Sequence, residues 1–396
     1  MRGLSYLEKL LDGVEVEWMA LGSVANIGTG SSNRQDENEK GAYPFYVRSK
    51  NVLRSDTFQF DETAIVIPGE GGVGDIFHYV EGKYALHQRA YRVCINTPAL
   101  NPKFLYYFMS FGFRKYILMK SVGATSISIR KPMLEDFQIP IPCPDNPEKS
   151  LAIQSEIVRI LDAFTALTNK LTNELKLRKQ QYNYYREQLL SFDEGDVEWR
   201  VLGGIGEVRM CKRILKSQTY SEGEIPFYKI GTFGKKPDAY ISRELFNEFK
   251  EKYSYPKVGA ILISASGTIG RTVVFDGKDS YFQDSNIVWI ENDEKIILNR
   301  YLYYFYQIAR WGISEGGTIQ RLYNENIRKL VVPVPFPDSP EKSLAEQARI
   351  VSILDKFDTL TNSISEGLPR EIELRKKQYE HYRNLLFSFP KPVADN

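Results

Sequence analysis

The chain has 396 residues, of which 42 % are apolar and 26 % are charged, a composition typical of a globular protein long enough to form at least two domains. A net charge of +2 excludes a molecule that attracts nucleic acid through its overall charge, so any such surface must come from a local group of Lys and Arg. The three cysteines are far apart and predict no disulfide framework, and three histidines in the whole chain are too few to favour a His-based metal centre.

The N-terminal stretch "MRGLSYLEKLLDGVEVEW" carries acidic residues and has no long apolar segment, which is unlike a signal peptide. No apolar run in the chain approaches the roughly 18 residues that a membrane span requires. We therefore expect a cytoplasmic protein that does not contact a membrane.

The first third of the chain is rich in Gly, Pro and aromatic residues, and its short β-like runs include "IVIPGEGGVGDI" (65–76). Gly69, Gly71 and Gly74 have the spacing G-x-G-x-x-G, which binds a dinucleotide when it joins a strand to a helix. The following "DIFHYVEGK" is strand-like and ends in a turn. At this point both a nucleotide site and a tight turn remain possible.

Residues 150–192 predict a long helix, because apolar side chains recur at steps of three and four as in a coiled-coil seam. A seam of this kind is typical of packing between two helices. Its first members are Ile157, Ile160, Phe164, Leu167 and Leu171.

The second half of the chain repeats the first, with equivalent residues 181 to 197 positions further along. "VEWMALG" (16–22) returns as "VEWRVLG" (197–203), and "LRKQQYNYYREQLLSF" (177–192) returns as "LRKKQYEHYRNLLFSF" (374–389). The glycine-rich stretch returns as "ILISASGTIGRT", in which Ala265 replaces the first glycine of the nucleotide motif. The repeat therefore favours a tight turn at both places and argues against a cofactor site.

Residues 343–389 predict the second copy of the helix. Ser343 and Glu346 have the form of a capping box, which predicts that the helix begins at Ser343. An insertion containing Gly367 and Pro369 predicts a kink or a break. The seam residues of this copy are Ile350, Ile353, Phe357, Leu360 and Ile364.

No phosphate-binding loop, base-methylation tetrapeptide or zinc-hydrolase motif occurs in the sequence. Two aromatic-rich segments are locally basic instead: residues 209–236 hold seven Lys or Arg against two Glu, and residues 28–54 hold five against three acids. Such segments can neutralise phosphates, and Arg, Asn, Gln and Ser can read base edges. These features favour binding over catalysis.

The alternation of two variable β-rich domains with two near-identical helices, the recurring "VEW…LG" domain entry and the closing "LRKKQYEHYRNLLFSF" resemble the specificity subunits of type I restriction–modification systems. The resemblance covers essentially the whole chain. It implies an α+β fold with two similar β-rich target-recognition domains, separated by two long antiparallel coiled-coil helices in a pseudo-two-fold internal repeat. The expected segments are a recognition domain at 1–149, a spacer helix at 150–192, a second recognition domain at 193–342, and a distal helix and tail at 343–396.

The resemblance also implies a non-catalytic reader of double-stranded DNA, in which each recognition domain reads one half of a bipartite site and the helices set the gap. Two methyltransferase subunits would dock on the helices, and restriction subunits that translocate DNA would join them. S-adenosylmethionine, ATP and Mg²⁺ would be bound by those partners, and this chain would bind no cofactor.

Polar loops at equivalent places of the two copies supply the candidate DNA contacts. In the first domain they are Arg34, Arg48, Lys50, Gln88, Arg89, Arg92, Ser126 and Arg130. In the second domain they are Arg213, Lys229, Arg271, Gln283, Asp284, Asn286, Gln320 and Arg321.

Two other classes of function remain open from the sequence. A self-contained DNA methyltransferase or endonuclease with unrecognised motifs would bind S-adenosylmethionine or cleave DNA as the purified chain alone. A repeat-built scaffold for proteins would bind no duplex DNA, or would bind its partner without dependence on salt.

Overall fold

The computed structural model describes residues 6–72, 74–120, 128–193, 195, 197–312, 321–363 and 365–391. Contacts within the chain divide it into two compact units. Unit 1 combines Met1–Thr172 with Glu371–Asn396, and unit 2 is Asn173–Arg370. The four-segment division drawn from the sequence stays a prediction.

Unit 1 is a β-rich domain completed by parts of two long helices. Its elements in chain order are α1 (Tyr6–Leu11), β1 (Val16–Ala20), α2 (Leu21–Val24), β2 (Ala25–Thr29), a 3-10 turn (Arg34–Asp36), β3 (Tyr43–Tyr46), β4 (Leu53–Ser55), β5 (Phe60–Pro68), β6 (His78–Leu86), β7 (Ala90–Ile95), α3 (Pro102–Lys120), α4 (Lys131–Glu135), β8 (Gln138–Pro142) and the first part of α5 (Pro147–Leu189).

Within the described residues of unit 1, six strands form one sheet in the order β2-β7-β5-β6-β3-β4, and β1 pairs with β8 separately. The central strand β5 has apolar residues on both faces. Ile65 and Ile67 belong to the large core that includes α3, whereas Ala64 and Val66 belong to a smaller core with Tyr84. The continuous apolar run "AIVI" follows from this burial on two sides, because successive side chains of a strand point to opposite faces.

Unit 2 repeats this plan. Its elements are the second part of α5, β9 (Val197–Val201), a 3-10 turn (Leu202–Gly204), β10 (Gly206–Arg209), a 3-10 turn (Lys216–Gln218), β11 (Ile225–Tyr228), β12 (Tyr240–Ile241), α6 (Arg243–Lys252), β13 (Ile261–Ser264), β14 (Thr272–Val274), β15 (Tyr281–Phe282), β16 (Ile287–Asn292), α7 (Asn299–Tyr306), α8 (Asn324–Lys329), β17 (Val331–Pro335) and α9 (Pro340–Asn362). The last helix, α10 (Gly367–Leu386), belongs to unit 1 from Glu371 onward.

The sheets of the two units share their topology. In the described part of unit 2 the strand orders are β10-β16-β13-β14 and β12-β11-β15, with β9 paired to β17. The parallel pair β3–β6 of unit 1 has its counterpart in the parallel pair β11–β15. The internal repeat predicted from the sequence is therefore also a repeat of strand pairing.

The long helices contribute to both the domain cores and the helix–helix contacts. Ile157 and Leu161 are fully buried in the large core of unit 1, and Ile350 and Leu354 occupy the same places in unit 2. The predicted seam thus serves a domain core at its start, and not only a second helix. Leu167, in contrast, is 37 % exposed.

Aromatic stacking marks the contacts between helices within each unit. In unit 1 the rings of Phe164 on α5 and Tyr382 on α10 are 5.3 Å apart. In unit 2 the ring of Phe357 on α9 lies 6.3 Å from Tyr182 and 5.5 Å from Tyr185, both on α5. Each unit thus contains its own aromatic contact between α5 and a helix of the distal segment.

The predicted break in the distal helix is confirmed, although it begins before the insertion. Helix α9 ends at Asn362 and α10 begins at Gly367, whose φ of +72° is left-handed and favours glycine. Pro369 then falls in the first turn of α10, where its missing N–H costs no helical hydrogen bond. The predicted seam residue Ile364 lies outside the described residues.

The predicted capping box is wrong. Helix α9 begins at Pro340, after Ser339 at the N-cap position, so Ser343 lies inside the helix. Ser343 is buried and its hydroxyl accepts a hydrogen bond of 3.1 Å from the amide of Gln347. Glu346 pairs with Arg349 at 2.7 Å on the exposed side. Ser343 therefore serves a tertiary contact rather than a cap.

Helices long and apolar enough to cross a membrane are not found in the described ranges. The same ranges contain no group of three or more His, Cys, Asp or Glu side chains placed to hold a metal ion.

Candidate nucleic-acid interface

The glycine-rich stretch after β5 forms a tight turn. Gly71, Gly72 and Gly74 have φ values of +69°, +60° and +74°, which side chains with a Cβ rarely adopt. The chain continues into β6 and not into a helix, so the geometry of a dinucleotide site is absent from these described residues. A Cβ on Gly74 would also lie 2.8 Å from the Cα of Arg114, so this glycine permits close approach of α3.

Three segments of unit 1 meet beside this turn. The amide of Gly69 donates to the carbonyl of Arg89 at 2.9 Å, and the amide of Ile129 donates to the carbonyl of Gly69 at 2.7 Å. Glu70 and Ser128 form an isolated antiparallel bridge. We call residues 69–72, 87–89 and 128–130 the loop junction of unit 1.

Unit 2 builds the same junction from residues 265–268, 283–286 and 321–323. The amide of Ala265 donates to the carbonyl of Asn286 at 2.7 Å, and the amide of Leu322 donates to the carbonyl of Ala265 at 2.8 Å. Ser266 and Arg321 form the isolated bridge. These backbone bonds place Ser266 where unit 1 has Glu70, and Asn286 where unit 1 has Arg89.

Charged side chains occupy the junction of unit 1. Glu70 accepts a hydrogen bond of 2.8 Å from Arg89 and a second hydrogen bond from Arg48, both at Oε1. The Arg89 guanidinium, followed by Arg48, holds the pKa of the Glu70 carboxyl below its usual range. The group formed by Arg48, Glu70 and Arg89 therefore carries two positive charges and one negative charge near neutral pH.

Two further polar residues flank this ion pair. Gln88 donates to the side-chain oxygen of Asn33 at 2.6 Å. His87 is buried, and its Nδ1 accepts a hydrogen bond of 3.0 Å from the Arg89 amide. Burial, together with the charges of Arg48 and Arg89, lowers the pKa of His87. The positively charged form of His87 beside the two arginines is thus disfavoured.

The junction of unit 2 is held by neutral pairs. The Ser266 hydroxyl donates to the side-chain oxygen of Asn286 at 2.8 Å, and Gln283 accepts from the Ile230 amide at 3.0 Å. Ser285 has a left-handed φ of +58°, a conformation that is uncommon for non-glycine residues and concentrated at functional sites. Arg321 is exposed and donates to the Ser285 carbonyl at 3.4 Å.

Several predicted DNA contacts come together at the junctions. In unit 1 these are Arg48, Gln88, Arg89 and Arg130, and in unit 2 they are Gln283, Asp284, Asn286, Arg321 and the adjacent Arg271. Arg271 donates to the Phe233 carbonyl at 3.1 Å and lines an open pocket with Lys235. Whether any of them contacts DNA stays a prediction.

The remaining candidates lie elsewhere or are engaged. Arg92 makes a hydrogen-bonded ion pair of 2.9 Å with Glu62 and lies over the ring of Phe60. Lys229 pairs with Asp238 at 2.9 Å. Exposed positions outside the junctions are Arg34, Lys50 and Arg213, whereas Ser126 and Gln320 lie outside the described residues.

The sequence did not point to Glu70. The candidate DNA contacts of unit 1 were cations, amides and a serine, and only the glycines of the turn were considered. The signal was present in the repeat. Aligning "PGEGG" with "SASGT" places Glu70 opposite Ser266, a charged and a neutral residue at one position of a duplicated turn.

The family model of the type I restriction modification DNA specificity domain matches residues 13–177 and again 194–374. The chain belongs to this family. Its members are DNA-recognition subunits without catalytic activity of their own, so the predicted family, the recognition role and the absence of an enzyme function are confirmed. The self-contained enzyme is not favoured.

Similar proteins extend over nearly the whole chain. A Haemophilus influenzae protein assigned to the type I restriction enzyme specificity subunits is 51 % identical over 400 residues, which cover 97 % of this chain and 98 % of the relative. The specificity subunit of the Escherichia coli type I enzymes EcoR124I/EcoR124II is 38 % identical over 419 residues, with 99 % of each chain covered. The crystal structure of the type I restriction–modification S subunit from M. genitalium has the same fold, with a TM-score of 0.59 at 17 % identity and coverage of 96 % and 98 %.

Proposed function

We propose that each unit reads one half of a bipartite, gapped DNA site and that the long helices fix the number of base pairs between the halves. The pair of loop junctions is the observation that carries this proposal. One set of backbone bonds holds Arg89 in unit 1 and Asn286 in unit 2. In the major groove Arg pairs best with guanine and Asn with adenine. The two units thus hold different base-reading side chains on the same backbone arrangement, which fits the reading of two different half-sites.

The test is single-molecule methylome sequencing of a host that expresses this chain with its methyltransferase. We expect methylated adenines in one gapped motif with two distinct halves. Methylation in a continuous motif, or in a motif with a single half, would contradict the proposal. Exchanging residues of one junction should change one half of the motif only.

We propose that α5 sets part of the gap. The four-residue quasi-repeat "LTNKLTNEL" (167–175) lies on α5, and the boundary between the two units falls at Thr172. Deleting residues 172–175 would shorten α5 by about 6 Å at roughly 1.5 Å per residue, close to one turn. With about 3.4 Å per base pair, the gap should shrink by one or two base pairs and both halves should stay unchanged. Altered halves with an unchanged gap would refute this role.

Two methyltransferase subunits are the proposed partners of the helices. Leu177 on α5 and Leu374 on α10 occupy the same position of the repeat and are 60 % and 43 % exposed. Equivalent exposed leucines in two copies suit two copies of one partner. Restriction and translocase subunits would join this core, and the partners would bind S-adenosylmethionine, ATP and Mg²⁺. We propose a cytoplasmic location, because the substrate is chromosomal and incoming DNA.

The purified chain alone distinguishes the other classes. We expect it to bind duplex DNA with a strong dependence on salt, and to show neither DNA cleavage nor binding of S-adenosylmethionine. Binding of S-adenosylmethionine would instead support the self-contained enzyme. Salt-independent behaviour without affinity for duplex DNA would support a protein scaffold.

A further inference from the structure

The junction of unit 1 has the carboxylate of Glu70 at the position where the junction of unit 2 has the hydroxyl of Ser266. Glu70 and Arg89 form an ion pair at the position where Ser266 and Asn286 form a neutral hydrogen bond. All three charged side chains of the unit 1 cluster are partly exposed, at 38 % for Glu70, 45 % for Arg48 and 59 % for Arg89. The ion pair is therefore exposed to solvent and to any nucleic acid that approaches this junction.

Both arginines donate to one carboxylate oxygen, Oε1, although they come from different segments of the chain. Arg48 follows β3, whereas Arg89 lies between β6 and β7. A guanidinium that is held by a carboxylate has fewer orientations available and a reduced positive field. A nearby carboxylate also repels the phosphates of DNA. These effects oppose phosphate binding by the two arginines at any DNA sequence.

We propose that Glu70 is a specificity-determining positioning residue, which restrains Arg48 and Arg89 from acting as phosphate anchors and presents them to base edges. This inference rests on the proposed reading of one half-site by unit 1. Arginines that read guanine must be oriented, since the pairing is bidentate. Arginines that are free to turn toward phosphates would strengthen binding to every sequence alike and so reduce discrimination.

The closing experiment measures binding of the full chain to two duplexes over a range of salt concentrations. One duplex carries the mapped site, and the other has the half read by unit 1 scrambled. For Glu70→Gln we expect a steeper salt dependence, by about 0.9 in the slope of log K against log[salt] for each arginine that gains a phosphate. Affinity for the scrambled duplex should rise roughly tenfold at 50 mM salt, and the ratio of the two affinities should fall.

Two variants separate this effect from simpler ones. Glu346→Gln removes one negative charge from a partly exposed Glu–Arg pair on α9, and it should leave the salt slope unchanged. Glu70→Asp keeps the charge and should retain most of the wild-type slope and discrimination.

In Glu70→Gln the pKa of His87 should fall further, because Glu70 is the group that raises it. Proton NMR can follow this change, since the chain has only three histidines.

Each result has a distinct meaning. A wild-type chain that does not discriminate between the duplexes would refute the proposed function. A discriminating wild type with an unchanged slope and ratio in Glu70→Gln would refute this inference alone. A changed base preference at one position with an unchanged salt slope would also overturn it, because Glu70 would then read a base directly.

Discussion

Replacing Gln154 by Leu should loosen the attachment of α5 to the first recognition domain. The Gln154 side chain is fully buried and makes three hydrogen bonds. It accepts from the Asn101 amide at 2.8 Å, and it donates to the Ala99 carbonyl at 2.9 Å and to the Ser150 hydroxyl at 3.0 Å. The Asn101 side chain in turn accepts from the first amides of α3, so one glutamine orients both helices.

The magnitude follows from the groups that lose their partners. Leu has nearly the volume of Gln and leaves no cavity, but the Asn101 amide and the Ala99 carbonyl, both on half-buried residues, lose their partner. Each unpaired buried group costs about 1–3 kcal/mol, and added burial of apolar surface offsets part of this cost. We expect a loss of about 2–4 kcal/mol in the free energy of unfolding of unit 1.

Hydrogen exchange followed by mass spectrometry measures this loss in each unit separately, because peptides from α3 and α7 report on different units. Exchange should accelerate in α3 and remain unchanged in α7. Gln347→Leu should produce the converse pattern, since Gln347 binds the Leu298 amide at 2.8 Å and the Ile296 carbonyl at 3.0 Å. The same substitution at the exposed Gln180 should change neither peptide.

A functional result should accompany the loss of stability. If the helices set the gap, a domain that is held less firmly on α5 should tolerate gaps one base pair shorter or longer. Methylation of such altered sites by complexes carrying Gln154→Leu would show this tolerance. A loss below about 0.5 kcal/mol in α3 would refute the reasoning, because both backbone groups would then have found other partners.

Further predictions concern the histidines and the glycine turn. Burial lowers the folded-state pKa of His78 and of His87 below the ordinary value of 6.5, so their stabilising contribution is present above about pH 6.5 and is lost as the pH falls below it. Urea denaturation between pH 7 and 5.5 should show this decline, and the double variant His78→Gln, His87→Asn should flatten it. An equal slope in that variant would contradict the assignment. Gly71→Ala should cost about 1–2 kcal/mol for its left-handed φ alone, since the space around Gly71 is open, whereas Gly74→Ala should cost more because of the Arg114 backbone. Equal costs by thermal unfolding would refute the role of close packing.

The sequence allowed the repeat, the family, the tight glycine turn and the broken distal helix to be predicted, because each depends on local chemistry or on self-comparison. The partner of an apolar helix face could not be predicted in this way. Ile157 and Phe164 lie on one apolar pattern, yet the first is buried in a domain core and the second stacks on Tyr382. Periodicity detects an apolar face but cannot distinguish a sheet from a helix as its partner.

Ser343 shows the same limit for polar residues. Its spacing to Glu346 has the form of a cap, but the hydroxyl binds Gln347 one turn later, and that glutamine binds the entry to α7. A cap and a buried tertiary contact use the same residue types at nearly the same spacing. Only the position of the neighbouring segment decides between them.

Under the proposed function, the two junctions account for how a duplicated domain can keep its fold while its recognition changes. The bonds from Gly69 to Arg89 and from Ala265 to Asn286 join backbone atoms, and so they do not depend on hydrogen bonds from the Arg89 or Asn286 side chains. A charged side chain at these positions can therefore be replaced by a neutral one at little cost to the stability of the fold. The attachment of the helices has the opposite character, because it depends on the side chain of one buried glutamine in each unit. Substitutions at the junctions should therefore alter which bases are read, and substitutions at the glutamines should alter how firmly each reader is held on its helix.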